Sequence, residues 1–173
     1  MCIAISNYIS NKCRHSVAYI ELNSTKQISV LNKRNTAGTF TKIGIDFFPS
    51  ITLSKLTDIL SQNYDFFIID FGILNQFTIN EYRRCNTQLA ICPVSPWKRN
   101  IFDEFINMFK EKYTNYQTQI YFLGNNNKEN LNKIQRVYKI NILPLPFLPN
   151  PFQITSEEFD FFKRIIERNN ISQ

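Results

Sequence analysis

The stretch Tyr64-Asp-Phe-Phe-Ile-Ile-Asp70-Phe-Gly72 decides how this chain folds. Its apolar run from Phe66 to Ile69 is too short for a helix, and Asp65, Asp70 and Gly72 bound it. A brief apolar run between polar and turn residues is the pattern of a parallel strand covered on both faces. Such a strand delivers Asp70 to the carboxyl end of a sheet, where open α/β sheets bind their ligands. An acid in that position is either the organiser of a magnesium–phosphate site or a turn residue, and the stretch alone leaves both open.

Upstream of it, Met1 to Cys13 sets Ile3, Ala4, Ile5, Tyr8 and Ile9 at helical spacing and predicts an amphipathic helix from the first residue. Val17 to Leu22 reads as a buried strand. It ends in Asn23-Ser24-Thr25, a cluster able to turn the chain and cap a short helix over about Lys26 to Lys33. After a loop around Gly38, Thr41 to Phe47 reads as one strand, and Ser50 to Gln62 as a helix burying Ile51, Leu53, Leu56, Ile59 and Leu60. Downstream come a short helix at Phe77–Arg84 and an apolar strand at Gln88–Cys92, stopped by Pro93 and Pro96. The helix Asn100–Tyr113 is the clearest in the chain, with Ile101, Phe102, Phe105, Ile106 and Phe109 on one face. A strand at Thr118–Leu123, a helix at Glu129–Tyr138 and a short strand at Asn141–Leu145 follow. A proline-bearing connection then leads to a last helix from about Ser156, capped by Ser156 and Glu158 and packed on the sheet through Phe159, Phe162, Ile165 and Ile166. Strands alternating with helices over short connections predict a doubly wound α/β fold with a mostly parallel sheet of about six strands. The length, 173 residues, suits a single domain over residues 1–173.

With 43% hydrophobic and 20% charged residues the composition is that of a globular protein and not a disordered one. The formal net charge of +6 admits an acidic partner such as nucleic acid, but the pairs Lys33-Arg34, Arg83-Arg84 and Lys98-Arg99 form no continuous basic stripe. Cys2, Cys13, Cys85 and Cys92 lack C-x-x-C spacing and His15 is the only histidine, which excludes the familiar zinc sites and points to reduced thiols in a cytoplasm. No apolar run approaches the ~18 residues that cross a bilayer. There is no G-x-S-x-G elbow, and nothing in the sequence orients His15 against Cys13 as a catalytic pair.

In order and spacing these segments resemble the ParA/MinD-like group of P-loop ATPases, which position plasmids, chromosomes, division machinery and pili. Ala4–Leu22 resembles the helix after the phosphate loop and the strand beyond it. Tyr64–Gly72 resembles the Walker B strand, and Cys92–Pro96 the proline-bearing end of the next strand. Tyr121–Asn126 resembles the strand whose terminal asparagine contacts adenine, and Ile142–Pro149 the segment that closes the nucleotide site. The resemblance implies that Asp70 holds magnesium through a water, that Asn125 contacts adenine, and that Asn23, with Glu21, stands near a switch position. Glu21 reads equally as an ordinary polar position at a strand end, and Asn125 as part of a turn.

The chain departs from that group in one large respect. None of its glycines, at positions 38, 44, 72 and 124, opens a G-x-x-x-x-G-K-[ST] loop, and Gly38-Thr-Phe-Thr-Lys-Ile-Gly44 has the wrong spacing and runs into a strand. Met1 falls inside the helix that follows the loop in the family, so the first strand and phosphate loop are missing from the pattern. The strand in Tyr64–Gly72 and that at Gln88–Cys92 then either pair directly or each keep an open edge. The expectation is a degenerate or truncated member acting as a non-hydrolytic interaction or positioning module, with no cofactor as written. The alternative is an ATPase using ATP and magnesium through a phosphate loop upstream, and a second alternative is a basic nucleic-acid-associated protein. Expected partners are an intact ATPase, secretion or pilus machinery, or a second copy, with Trp97 as the candidate contact residue.

Overall fold

The computed structural model describes residues 1–32, 38–92, 96–110, 120–124 and 128–167. They fall into two compact units, the first built from Met1–Asn80 with Leu148–Phe162 and the second from Glu81–Phe147 with Lys163–Gln173.

The first unit opens with helix α1 (Cys2–Asn7), which continues into a π-helical turn at Tyr8–Lys12. Ala4, Ile5, Tyr8 and Ile9 are buried, as their spacing requires. Strand β1 (Val17–Glu21) is buried at every position. A 3₁₀ turn at Ile28–Leu31 stands where the short helix is expected. The region expected to form a single strand is a hairpin, β2 (Phe40–Lys42) and β3 (Ile45–Phe48), paired antiparallel. Ile43 and Gly44 both take positive φ, 46° and 74°, which is the two-residue turn whose twist suits a hairpin. A Cβ on Gly44 would stand 2.8 Å from Ser10 Oγ, so the tip also needs glycine for space.

Helix α2 (Leu53–Leu60) is shorter than its expected span and buries only Leu56 and Ile59. Leu53, at 42% exposure, and Leu60, at 39%, do not belong to the core. Strand β4 (Phe66–Asp70) follows. The sheet order is β2-β3-β1-β4, with β1 parallel to both β3 and β4.

Strand β4 therefore lies at a sheet edge among the described residues. Its residues are half-buried throughout. The Phe66 N–H donates to Ser16 O at 3.1 Å and Asp70 O accepts from Leu22 N–H at 2.9 Å. Phe66, Ile68 and Asp70 thus direct their main-chain groups to β1, while Phe67 and Ile69 direct theirs to the other edge.

The second unit holds the parallel sheet β5 (Gln88–Cys92), β6 (Ile120–Gly124) and β7 (Ile142–Pro144), in the order β5-β6-β7. Helix α3 (Ile79–Arg84) enters it, and a 3₁₀ turn at Pro96–Lys98 leads into α4 (Arg99–Lys110). Phe102, Ile106 and Phe109 are buried along one face of α4, at the i, i+4, i+7 spacing read from the sequence. Phe102 stands edge-on to Phe122 at 5.9 Å and to Tyr138 at 5.1 Å. Helix α5 (Lys128–Tyr138) supplies that tyrosine. Its hydroxyl donates to Asp103 and accepts from Arg99 Nε.

The last helix, α6 (Ser156–Glu167), buries Phe162 and Ile165 as expected. Its cap differs: Glu158 reaches back to accept from both the N–H and the hydroxyl of Thr155, at 2.7 and 2.6 Å. Glu158 thus supplies the carboxylate half of a capping box at Thr155, one residue earlier than the Ser156 expectation. Among the described residues no helix is long and apolar enough to cross a membrane.

Candidate functional site

In the first unit the parallel strands β1 and β4 end in register on two carboxylates, Glu21 beside Asp70. Residues in register share a face, so both acids lie on the side of the sheet that also carries Tyr19.

Asp70 is held at both ends. The Tyr19 hydroxyl donates to Oδ2 at 2.6 Å and the Gly72 N–H to Oδ1 at 2.9 Å. Its carbonyl accepts from Leu22 N–H and, at 3.1 Å, from Asn23 Nδ2. Burial, followed by the fields of Cys2 and Asp70, pushes the Tyr19 hydroxyl far above the ordinary phenol range, so it stays a proton donor. Cys2 is half-buried as a residue, yet desolvation of its sulfur and the charge of Asp70 push the thiol up to about 12. It stays protonated at neutral pH. Gly72 takes φ +60°, and a Cβ there would stand 3.0 Å from the Cβ of Asn23. Glycine is thus required where the chain leaves Asp70.

Asn23 spends its side chain on the same turn. Its Oδ1 accepts from the N–H and hydroxyl of Thr25, at 2.9 and 2.5 Å, while its Nδ2 reaches Asp70 O. That is an asparagine-centred turn, with the amide engaged at both ends. The structure therefore brings Asn23 and Asp70 together.

Glu21 is the residue that strand-end reasoning underrates, because it is 1% exposed. Its Oε1 accepts from the N–H groups of Gln27 and Ile28, at 2.8 and 3.2 Å. Its Oε2 accepts from the N–H and hydroxyl of Ser50, at 3.0 and 3.4 Å, and its carbonyl takes the Ile51 N–H. Among the described residues no cation pairs with it. The only sequence signal was a lone acid closing an otherwise apolar strand.

Trp97 is 79% exposed on the 3₁₀ turn of the second unit. Asn125 lies outside the described residues. His15 stands 3.7 Å from Asp65, whose Oδ2 also accepts the Ser16 N–H and hydroxyl. The serine hydroxyl is thus directed at the acid and not at the imidazole. Burial pushes Cys85 up to about 11 and Cys92 up to about 12, so neither thiol is primed as a nucleophile.

As a cation site, the carboxyl edge offers limited chemistry. Glu21 has both oxygens committed to donors, whereas each Asp70 oxygen carries one donor and retains a lone pair. Among the described residues no group of three or more His, Cys, Asp or Glu could hold a metal. Asp70 as a single carboxylate fits magnesium in the manner of phosphate sites, where the ion keeps waters and takes its other oxygens from phosphates.

Charge divides unevenly between the units. The second holds thirteen of the 20 Lys and Arg and six of the 14 Asp and Glu, a net of +7, which leaves −1 for the first. One of these cations is used internally: Arg83 donates to Met108 O while lying over the Phe109 ring.

No protein-family profile matches the chain, and no curated protein does. Among solved structures it is similar to a plasmid partition protein from Borrelia burgdorferi, with a TM-score of 0.64 and 14% sequence identity over 96% of this chain and 90% of that one. At that identity the likeness is one of fold: this α/β chain, with its mixed and parallel sheets, is built like a partition protein.

Proposed function

We propose that the chain is a single ParA/MinD-like α/β domain that acts in the cytoplasm as a non-hydrolytic interaction or positioning module. The observation that carries this reading is the likeness in fold to a plasmid partition protein over 96% of the chain. The non-hydrolytic part rests on chemistry. The sequence holds no G-x-x-x-x-G-K-[ST] loop to bring phosphate to Asp70. The partner is a protein, either an intact ATPase, secretion or pilus machinery, or a second copy, and exposed Trp97 is the contact residue.

Calorimetric titration of magnesium and ATP into this chain tests the reading. No binding is expected, and saturable magnesium-dependent binding overturns it. In the alternative, an ATPase whose phosphate loop lies upstream, Asp70 holds magnesium through a water together with the phosphates, Asn125 reads adenine and Asn23 sits at a switch position. A chain extended upstream then binds ATP, and its failure to do so overturns that alternative.

The net charge of +7 on the second unit favours a second reading, association with nucleic acid. Affinity for duplex DNA then falls steeply between about 50 and 200 mM salt. Binding that is absent at the lower concentration removes this reading.

A further inference from the structure

Glu21 makes more loop contacts than a strand-end acid needs. One carboxylate and its own carbonyl gather donors from two loops that leave different strands: Gln27 and Ile28 after β1, and Ser50 and Ile51 after β3. Both loops are strained beside those donors. Lys26, just before Gln27, takes φ 54°, and Ser50 itself takes φ 51°, in the left-handed region that residues other than glycine seldom occupy. Between Leu22 and Leu31 only Leu22 and Ile28 are buried apolar anchors, and Val30 is 82% exposed. Leu22 N–H and Asn23 Nδ2 tie the start of the segment to Asp70 O, and the Glu21 carboxylate ties its Gln27–Ile28 part. The charge is buried against amide dipoles and a hydroxyl, with no cation to hold it in place among the described residues.

We infer that Glu21 is a positioning residue, a latch that holds the Leu22–Leu31 loop and the Ser50 junction in one closed arrangement, and that loss of its carboxylate releases both while the sheet stays folded. Strain at Lys26 and Ser50 favours the open state, and the carboxylate's donors favour the closed one. The two oxygens divide the work, Oε1 for the loop after β1 and Oε2 for the junction after β3. This division does not depend on what the domain binds.

Amide hydrogen exchange, read residue by residue by NMR, tests the latch. In Glu21→Ala the amides of Gln27, Ile28 and Ser50 are expected to exchange at least about tenfold faster, with those of Tyr19 and Ile68 unchanged. Glu21→Gln separates the arms. Its one remaining carbonyl oxygen serves Gln27 and Ile28, and its amide NH₂ meets the Ser50 hydroxyl, which can accept, and the Ser50 N–H, which cannot. Faster exchange at Ser50 alone is expected there. Equal acceleration at Tyr19 and Ile68, failure of Glu21→Ala to fold, or unchanged exchange at Gln27 and Ile28 each overturns the latch. Equal loss of both arms in Glu21→Gln overturns the division between its oxygens.

Discussion

In the first unit the strands β1 and β4 end side by side on Glu21 and Asp70. In the second, β5, β6 and β7 end on Cys92, Gly124 and Pro144, with no carboxylate among them. The first unit spends polar groups at its carboxyl edge, where turns are bound by acids, amides and hydroxyls. The second spends aromatic rings in its interior, with Phe102 against Phe122 and Tyr138, and Phe105 against Phe109. The first sheet thus ends on carboxylates bound to main-chain and hydroxyl donors, while the second unit joins an aromatic interior to a net charge of +7. Each half of that contrast can be broken separately.

The largest expected effect is in the aromatic interior. Phe122 is 1% exposed and packs edge-on against Phe102. Phe122→Ala should destabilise the chain by about 3–5 kcal/mol, read as a lower urea midpoint, because the cavity left among rigid rings does not refill. A loss below about 1 kcal/mol would mean that the rings are loosely packed and would remove that side of the comparison.

How far the sequence carried this picture follows from the same contrast. Burial leaves a clear periodic signal, so β1, β5 and the face of α4 were legible where apolar residues recur. Three features were not. The β2–β3 hairpin was hidden because Ile43 occupies a positive-φ position that sequence patterns assign to Gly, Asn or Asp. Leu53 and Leu60 fit a helical stripe yet stay exposed, since periodicity names a face without saying how wide the covering partner is. Glu21 reads from sequence as an ordinary polar position at a strand end, because its donors, Gln27, Ile28 and Ser50, are brought to it only by the fold. At the candidate site Asp70 was legible as the end of its strand. Its bonds to Tyr19, Gly72 and Asn23 depend on a register between strands far apart in sequence.

The polar edge of the first unit breaks next at Gly72. Alanine there must adopt φ near +60° and bring its Cβ to 3.0 Å from that of Asn23. A loss of about 1–3 kcal/mol in chemical denaturation is expected. A neutral Gly72→Ala would show that this turn relaxes freely and is not held by Asp70 and Asn23.

A smaller effect, about 1–2 kcal/mol, is expected of Asp70→Asn, which weakens the charge-assisted bond from Tyr19 while keeping an acceptor for Gly72. A double-mutant cycle with Tyr19→Phe sharpens it. Coupling above about 0.5 kcal/mol assigns the loss to that bond, and additivity assigns it elsewhere.

The smallest effect lies at the opposite end of the same strands, where the exposed Asp65 bridges Ser16 and His15. The N–H and hydroxyl of Ser16, and then His15, hold the Asp65 carboxyl below its ordinary 3.8. A carboxyl whose folded value is depressed stabilises the fold above its unfolded value, and that contribution is lost as pH falls through the folded one. Wild-type stability should therefore decline more steeply than that of Asp65→Asn between about pH 5 and pH 2, the two curves converging at the acid end. Because the group is exposed, the divergence at neutral pH should be slight and should shrink further in high salt for the part that comes from His15. The part that comes from Ser16 is a short-range hydrogen bond and should persist in salt. Parallel pH curves for the two proteins would show that Asp65 titrates alike folded and unfolded, leaving strand-end carboxylates of the first unit significant only where they are buried.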